Sequence, residues 1–153
     1  MNESFRNLHH VCVVVKDLDA SVEFYDSIGV GPWEDFPSLE VFRNRLEAPS
    51  DDFFTLRYKY ANLGDVQLQL CEPPVGDSPQ RKFLDAHGEG VFHIGFAVPD
   101  VNDAEGRLCQ LGLAPLMRAR LDDGSGFTYF DTANRGAGVV LEIRASGGAG
   151  IPR

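Results

Sequence analysis

Two short runs of apolar residues, Leu8-His-His-Val-Cys-Val-Val-Val15 and Val91-Phe-His-Ile-Gly-Phe-Ala-Val98, are rich in β-branched residues. Each is closed by an Asp or Pro signal, so each predicts a strand. A mixed apolar and polar stretch follows each run, with the spacing of a helix. Asp17 or Asp19 can cap a helix reaching about Ser27, and Asp100 or Asn102 can cap one reaching about Leu111. Gly29 and Gly112 stand where a left-handed residue stops those helices. Three shorter extended segments come after each glycine, the last being 66–71 and 139–144. The element order is therefore βαβββ, written twice.

The residues themselves repeat as well as the pattern. At an offset of 83 residues His10 meets His93, Val15 meets Val98, Asp17 meets Asp100, Gly29 meets Gly112 and Pro32 meets Pro115. At an offset of 73, Phe54-Thr55 meets Phe127-Thr128 and the strand Val66 to Leu70 meets Val139 to Ile143. A repeat of this kind governs the reading of the whole chain. The expectation is one domain over 1–153, with modules at 8–73 and 91–145 and a linker at 74–90 that carries a short helix near Gln80 to His87. The glycine-rich tail, 146–153, reads as flexible.

Parity along the strands separates the two faces of the sheet. His10 shares a face with Cys12 and Val14, and His93 shares one with Gly95 and Ala97, while Val11, Val13, Ile94 and Phe96 take the other. If the bulkier face packs on helices, Gln69 and Glu142 turn to the same side as the two histidines. Arg144 shares the parity of Glu142. Four side chains from matched positions, His10, Gln69, His93 and Glu142, then converge across a pseudo-two-fold axis. Two imidazoles, a carboxylate and an amide oxygen without sulfur suit one divalent ion, Co, Mn, Zn, Ni or Fe(II), in an open octahedral site with room for water or substrate. His9 matches Phe92 on the bulky face and is not expected to be a ligand.

Composition narrows the setting. Fourteen Lys and Arg against 23 Asp and Glu give a net charge of −9, which supplies no basic field for nucleic acid. No apolar run has the length of a membrane span, and the chain reads as cytoplasmic. Cys12, Cys71 and Cys109 are odd in number and sit in apolar stretches, as buried hydrophobes rather than a disulfide framework do.

The paired segments LHHVCVVVKDLDASVEFYDSIG and VFHIGFAVPDVNDAEGRLCQLG, with LQLCEP and VVLEIRA, resemble the vicinal oxygen chelate superfamily, the glyoxalase, bleomycin-resistance and extradiol-dioxygenase proteins. The resemblance covers about residues 8 to 145. It implies an α+β fold in which two tandem βαβββ modules form a curved eight-stranded cup around a divalent metal. It also implies a small-molecule substrate with vicinal oxygens and a homodimer. The order His10, Gln69, His93, Glu142 is most similar to that of methylmalonyl-CoA epimerases, whose substrate is an acyl-CoA. On that resemblance the chain is an enzyme, a metal-dependent epimerase or isomerase that removes an α-proton, with Glu142 as catalytic residue.

Further candidates surround this centre. Glu47, Asp51 and Asp52 are additional carboxylates for proton transfer. Arg43, Arg45, Arg57, Lys59, Arg118 and Arg120 are candidate clamps for phosphate or carboxylate. Trp33, Phe36, Phe42, Phe53, Phe54, Tyr58 and Tyr60 can line an aromatic pocket. Three alternatives stay open at this point: a glyoxalase I-like lyase, an Fe(II) extradiol-type dioxygenase using His10, His93 and Glu142, and a non-catalytic small-molecule-binding protein of the same fold.

Overall fold

The structure is a computed structural model and describes residues 3–145, so the tail at 146–153 lies outside the described residues. In chain order the elements are β1 (Leu8–Val14), α1 (Leu18–Ser27), β2 (Glu34–Asp35), β3 (Leu46–Glu47), β4 (Arg57–Leu63), β5 (Val66–Glu72), α2 (Pro79–His87), β6 (Gly90–Ala97), α3 (Val101–Gln110), β7 (Pro115–Arg120), β8 (Gly126–Phe130) and β9 (Val140–Ala145). Two 3-10 helices, Leu39–Phe42 and Asp51–Thr55, flank β3. Asp17 caps α1 by accepting from the Ala20 amide at 2.9 Å, and Asp100 caps α3 by accepting from the amides of Asn102 and Asp103, both at 2.9 Å. Asp19 and Asn102, the other cap candidates, fall inside the first turns. Gly29 and Gly112 end the two helices with φ of 90° and 89°, values that a side chain resists.

Among the described residues all nine strands join one mixed sheet in the order β2-β4-β5-β1-β6-β9-β8-β7-β3. β1 and β6 pair antiparallel at the centre, β5 lies parallel to β1, and β9 lies parallel to β6, so the two modules mirror one another about that seam. This is the α+β arrangement that the repeat implies, with one strand more than the eight expected. The additional strand is β3, which leaves the first module and pairs with β7 of the second, Leu46 opposite Ala119 and Glu47 opposite Arg118. Its segment, 36–56, runs across the inner face of the sheet and buries Phe42, Phe53 and Leu56 against Cys12, Val14 and Cys71. Each side chain of that size contributes about 1.5–3 kcal/mol on burial. Those contacts hold the segment on the sheet.

One part of the expected repeat fails. Phe54 and Thr55 lie in a 3-10 helix, whereas Phe127 and Thr128 lie in β8. The register gives the true equivalence: Tyr60 stands opposite Gln69 as Tyr129 stands opposite Glu142. The hairpin between β4 and β5 turns on Gly64 and Asp65, but β8 and β9 are joined by a longer loop, and an offset set by the last strand does not survive that difference.

Faces follow parity. Val13, Val15 and Leu70 pack on α1 with Leu18 and Val22, and Val98, Phe130 and Ile143 pack on α3 with Val101, Ala104 and Leu108. Cys12, Cys71 and Val140 face inward with Phe127 and Tyr129. Among the described residues no helix is long and apolar enough to cross a membrane.

Candidate metal centre

The four central strands, β5, β1, β6 and β9, carry the four expected ligands in two rows. Gln69, Cys12 and His93 stand in one row and His10, Gly95 and Glu142 in the other. The pseudo-two-fold exchanges the rows, His10 with His93, Gln69 with Glu142 and Cys12 with Gly95. The middle position of the second row must be bare. A Cβ at Gly95 would lie under 3.0 Å from the Nδ1, Cε1 and Nε2 atoms of His10, so the imidazole lies directly over bare backbone.

Over that backbone three donor atoms meet. His10 Nε2 is 2.8 Å from Glu142 Oε2, His93 Nε2 is 3.0 Å from the same oxygen, and the two Nε2 atoms are 3.0 Å apart. Adjacent donors of an octahedron with bonds of about 2.1 Å stand about 3.0 Å apart, and those of a tetrahedron about 3.4 Å. The trio therefore fits one face of an octahedral divalent cation. His10, His93 and Glu142 are at most 5% exposed. His9 is not part of the trio, but its Nδ1 meets His10 Nδ1 at 2.7 Å, and a hydrogen bond there fixes the imidazole so that Nε2 faces the centre. His93 Nδ1 has no such partner among the described residues.

Gln69 lines the same cavity as His10 and Glu142. Its amide nitrogen donates to Gln67 Oε1 at 2.7 Å, and Gln67 in turn donates to Asn62 Oδ1 at 3.2 Å. With the nitrogen engaged, the oxygen is the end of the amide left to serve a cation.

Burial and charge shift two members of the trio, Glu142 and His93. Burial pushes Glu142 toward its neutral form, but the two imidazoles together overcome this and hold the carboxyl below the usual carboxylate range. Burial is also the main influence on His93 and lowers its pKa, which favours the neutral ring. The depressed carboxyl stabilises the fold at neutral pH, and that contribution is lost as the pH falls below the ordinary carboxylate range.

Above the trio is a cavity of about 430 Å³ including its open mouth. Phe36, Phe42, Phe53 and Tyr58 from the first module and Phe127 and Tyr129 from the second form its walls. Trp33, Phe54 and Tyr60, expected beside them, lie elsewhere: Trp33 packs on Tyr25, Phe54 lies under the Arg43 guanidinium, and Tyr60 donates to Glu34. Tyr58 and Tyr129 are pushed well above the ordinary phenol range by burial, so both hydroxyls stay protonated.

The remaining candidates are placed away from this cavity. Glu47 pairs with Arg118, Asp52 accepts from the Asp77 amide, and Asp51 is exposed at the start of a 3-10 helix. Arg43, Arg45, Arg57 and Lys59 pair with Glu40, Asp122, Glu72 and Asp35, and Arg118 and Arg120 share Glu105. The cation that does line the cavity is Arg144, 3% exposed. It was not among the candidates read from the sequence, and its shared parity with Glu142 was the signal that could have marked it.

The sequence matches the glyoxalase/bleomycin resistance protein/dioxygenase superfamily over residues 9–130. Among solved structures it is similar to a Streptomyces coelicolor methylmalonyl-CoA epimerase variant in complex with 2-nitronate-propionyl-CoA, at 27% identity and a TM-score of 0.70, covering 95% of this chain and 98% of that one. A methylmalonyl-CoA epimerase in complex with methylmalonyl-CoA and ammonium gives the same identity, TM-score and coverage. The epimerase of Mycobacterium tuberculosis shares the fold, with a TM-score of 0.69, 23% identity and coverage of 93% and 89%. No curated protein matches the chain in sequence. Two βαβββ modules joined in one sheet, the family match over most of the chain and these structural neighbours agree: the chain belongs to the glyoxalase/bleomycin resistance protein/dioxygenase superfamily.

Proposed function

We propose that the protein is a divalent-metal-dependent epimerase or isomerase that moves a proton on the carbon α to a carbonyl, with a methylmalonyl-CoA-like substrate. The observation that carries this reading is the trio of His10, His93 and Glu142, with donor atoms 2.8–3.0 Å apart beneath an aromatic cavity. Its support from known proteins is the 27% identity to a methylmalonyl-CoA epimerase across 95% of the chain. His10, His93 and Glu142, with the Gln69 oxygen, would hold the ion. The ion supplies Lewis acidity, which stabilises the negative charge that develops on the substrate's vicinal oxygens when the carbon is deprotonated.

The chain's own residues divide the remaining work. Glu142 is the carboxylate that lines the cavity, so it is the residue that takes the α-proton. Tyr58 and Tyr129, held protonated by burial, are the cavity's neutral proton-bearing groups. Phe36, Phe42, Phe53 and Phe127 exclude water and so keep the local dielectric low, which strengthens each charge interaction at the centre.

The test is deuterium incorporation at C2 of methylmalonyl-CoA in heavy water by protein reloaded with Co or Mn. Exchange above the protein-free rate that disappears with chelator is expected. No exchange with fully loaded protein overturns the reading. One observation favours a second reading: the three groups that meet at the centre form by themselves the two-histidine, one-carboxylate set of non-haem Fe(II) oxygenases, with the Gln69 nitrogen tied to Gln67. Oxygen uptake with a catechol on the Fe(II)-loaded protein, without deuterium exchange, is the outcome that selects it.

A further inference from the structure

Inverting a carbon centre takes a proton from one face and delivers one to the other. Among its lining residues the cavity offers a single carboxylate, Glu142. Gln69, its counterpart across the pseudo-two-fold, is an amide and carries no proton that it can exchange with carbon. His10 is engaged in the trio, and a guanidinium such as that of Arg144 keeps its proton. Two phenols are left, Tyr58 and Tyr129.

The sheet register separates these two. Tyr129 stands directly opposite Glu142 on the adjoining strand, so it lies on the same flank. Tyr58 is on β4, opposite Cys71 of β5, and the strands β5, β1 and β6 lie between it and Glu142 on β9. A carbon held above those three strands has Glu142 on one side and Tyr58 on the other. The Tyr58 ring is set against Phe36, with centroids 5.2 Å apart. Its hydroxyl is buried and makes no hydrogen bond of good geometry among the described residues. The polar groups near it are the Tyr129 hydroxyl and the thiols of Cys71 and Cys12, and a thiol is a weak acceptor. A buried hydroxyl in that position is unfavourable until a ligand engages it.

We propose that Tyr58 is a catalytic residue, the acid that delivers a proton to the face of the α-carbon opposite Glu142. This deepens the epimerase reading and rests on it. Glu142 takes the α-proton and becomes a neutral carboxyl, while the electron pair of the broken C–H bond moves into the adjacent carbonyl. The Tyr58 O–H bond then breaks, its proton forms the new C–H bond on the other face, and a phenolate remains. Transfer of the proton from the Glu142 carboxyl to that phenolate restores both groups, and Tyr129, which faces both, spans the gap. A phenol is a far stronger acid than a carbon α to a carbonyl, so the delivery runs downhill.

Tyr58→Phe keeps the ring against Phe36 and removes only the hydroxyl. One C2 epimer of methylmalonyl-CoA is incubated with Co-loaded protein in heavy water, and deuterium content and inversion at C2 are followed in the same samples. Inversion should fall by about 10²–10⁴-fold, whereas exchange with retention, through Glu142 alone, should stay within about tenfold of the parent. Cobalt affinity should match the parent, since Tyr58 is outside the trio. Tyr60→Phe, which loses a hydroxyl that donates to Glu34, should leave both rates unchanged. Inversion by Tyr58→Phe within about tenfold of the parent overturns the assignment while the epimerase reading stands. A parallel fall of inversion and exchange also overturns it and gives Tyr58 a packing role. If the fully loaded parent neither exchanges nor inverts either epimer, the epimerase reading itself fails and the role of Tyr58 falls with it.

Discussion

Gly95→Ala should lower metal affinity by at least about a hundredfold while the protein remains folded. The substituted strand backbone is not strained, since Gly95 has no positive φ. The new methyl group instead occupies the place of the His10 imidazole, under 3.0 Å from three of its ring atoms. His10 is 1% exposed and is held by His9, His93 and Glu142, so the ring can yield only toward the cavity, away from those partners. Relieving the overlap must pull Nε2 away from the other donors. Losing a group that merely orients a ligand costs about 10–100-fold in metal affinity, and displacing the ligand itself costs more. Overpacking of this kind destabilises by about 1–3 kcal/mol, which a thermal melt separates from the loss of binding. His9→Ala is the milder comparison: it should cost about tenfold by releasing the His10 ring, and it removes no donor from the trio. Titration with Co checks both variants, and a Gly95→Ala protein that binds Co as the parent does contradicts the packing of His10 over β6.

Much of this centre was legible because strand geometry is strictly periodic. Parity alone put His10, Gln69, His93 and Glu142 on one face, and the repeat put them at matched positions; the register then sets them on four adjacent strands. The caps at Asp17 and Asp100 and the stops at Gly29 and Gly112 were legible for a similar reason, since each satisfies or ends a local hydrogen-bond pattern. The segment from Phe36 to Leu56 was not. Its two 3-10 helices and the two-residue strand β3 carry no periodic signal, and β3 is a strand because β7 offers it an edge, which is a long-range fact. The carboxylates and arginines of that region were overvalued for the same reason. Glu47 and Arg118 look like functional groups in sequence and are each other's partners in space. Arg144 was not among the candidates: parity placed it on the face of Glu142, but its burial, 3% exposed, belongs to the folded sheet and leaves no mark in the sequence. Parity put Gly95 on the face of the two histidines, and the structure shows that the His10 ring takes the space above it.

Glu142→Gln should abolish deuterium exchange into the substrate even at saturating metal, a loss of about 10²–10⁴-fold for the base function alone. The amide has nearly the shape of the carboxylate and can still accept from an imidazole, so the positions of His10 and His93 need not change. What disappears is the negative charge, and with it three separate roles. The variant cannot take a proton from carbon. It holds a divalent cation less tightly, so the metal must be titrated to saturation before exchange is compared. It also withdraws the charge that stands 2.8 Å from His10 Nε2 and 3.0 Å from His93 Nε2. Exchange persisting in Glu142→Gln within tenfold of the parent at full metal loading assigns proton transfer to another group.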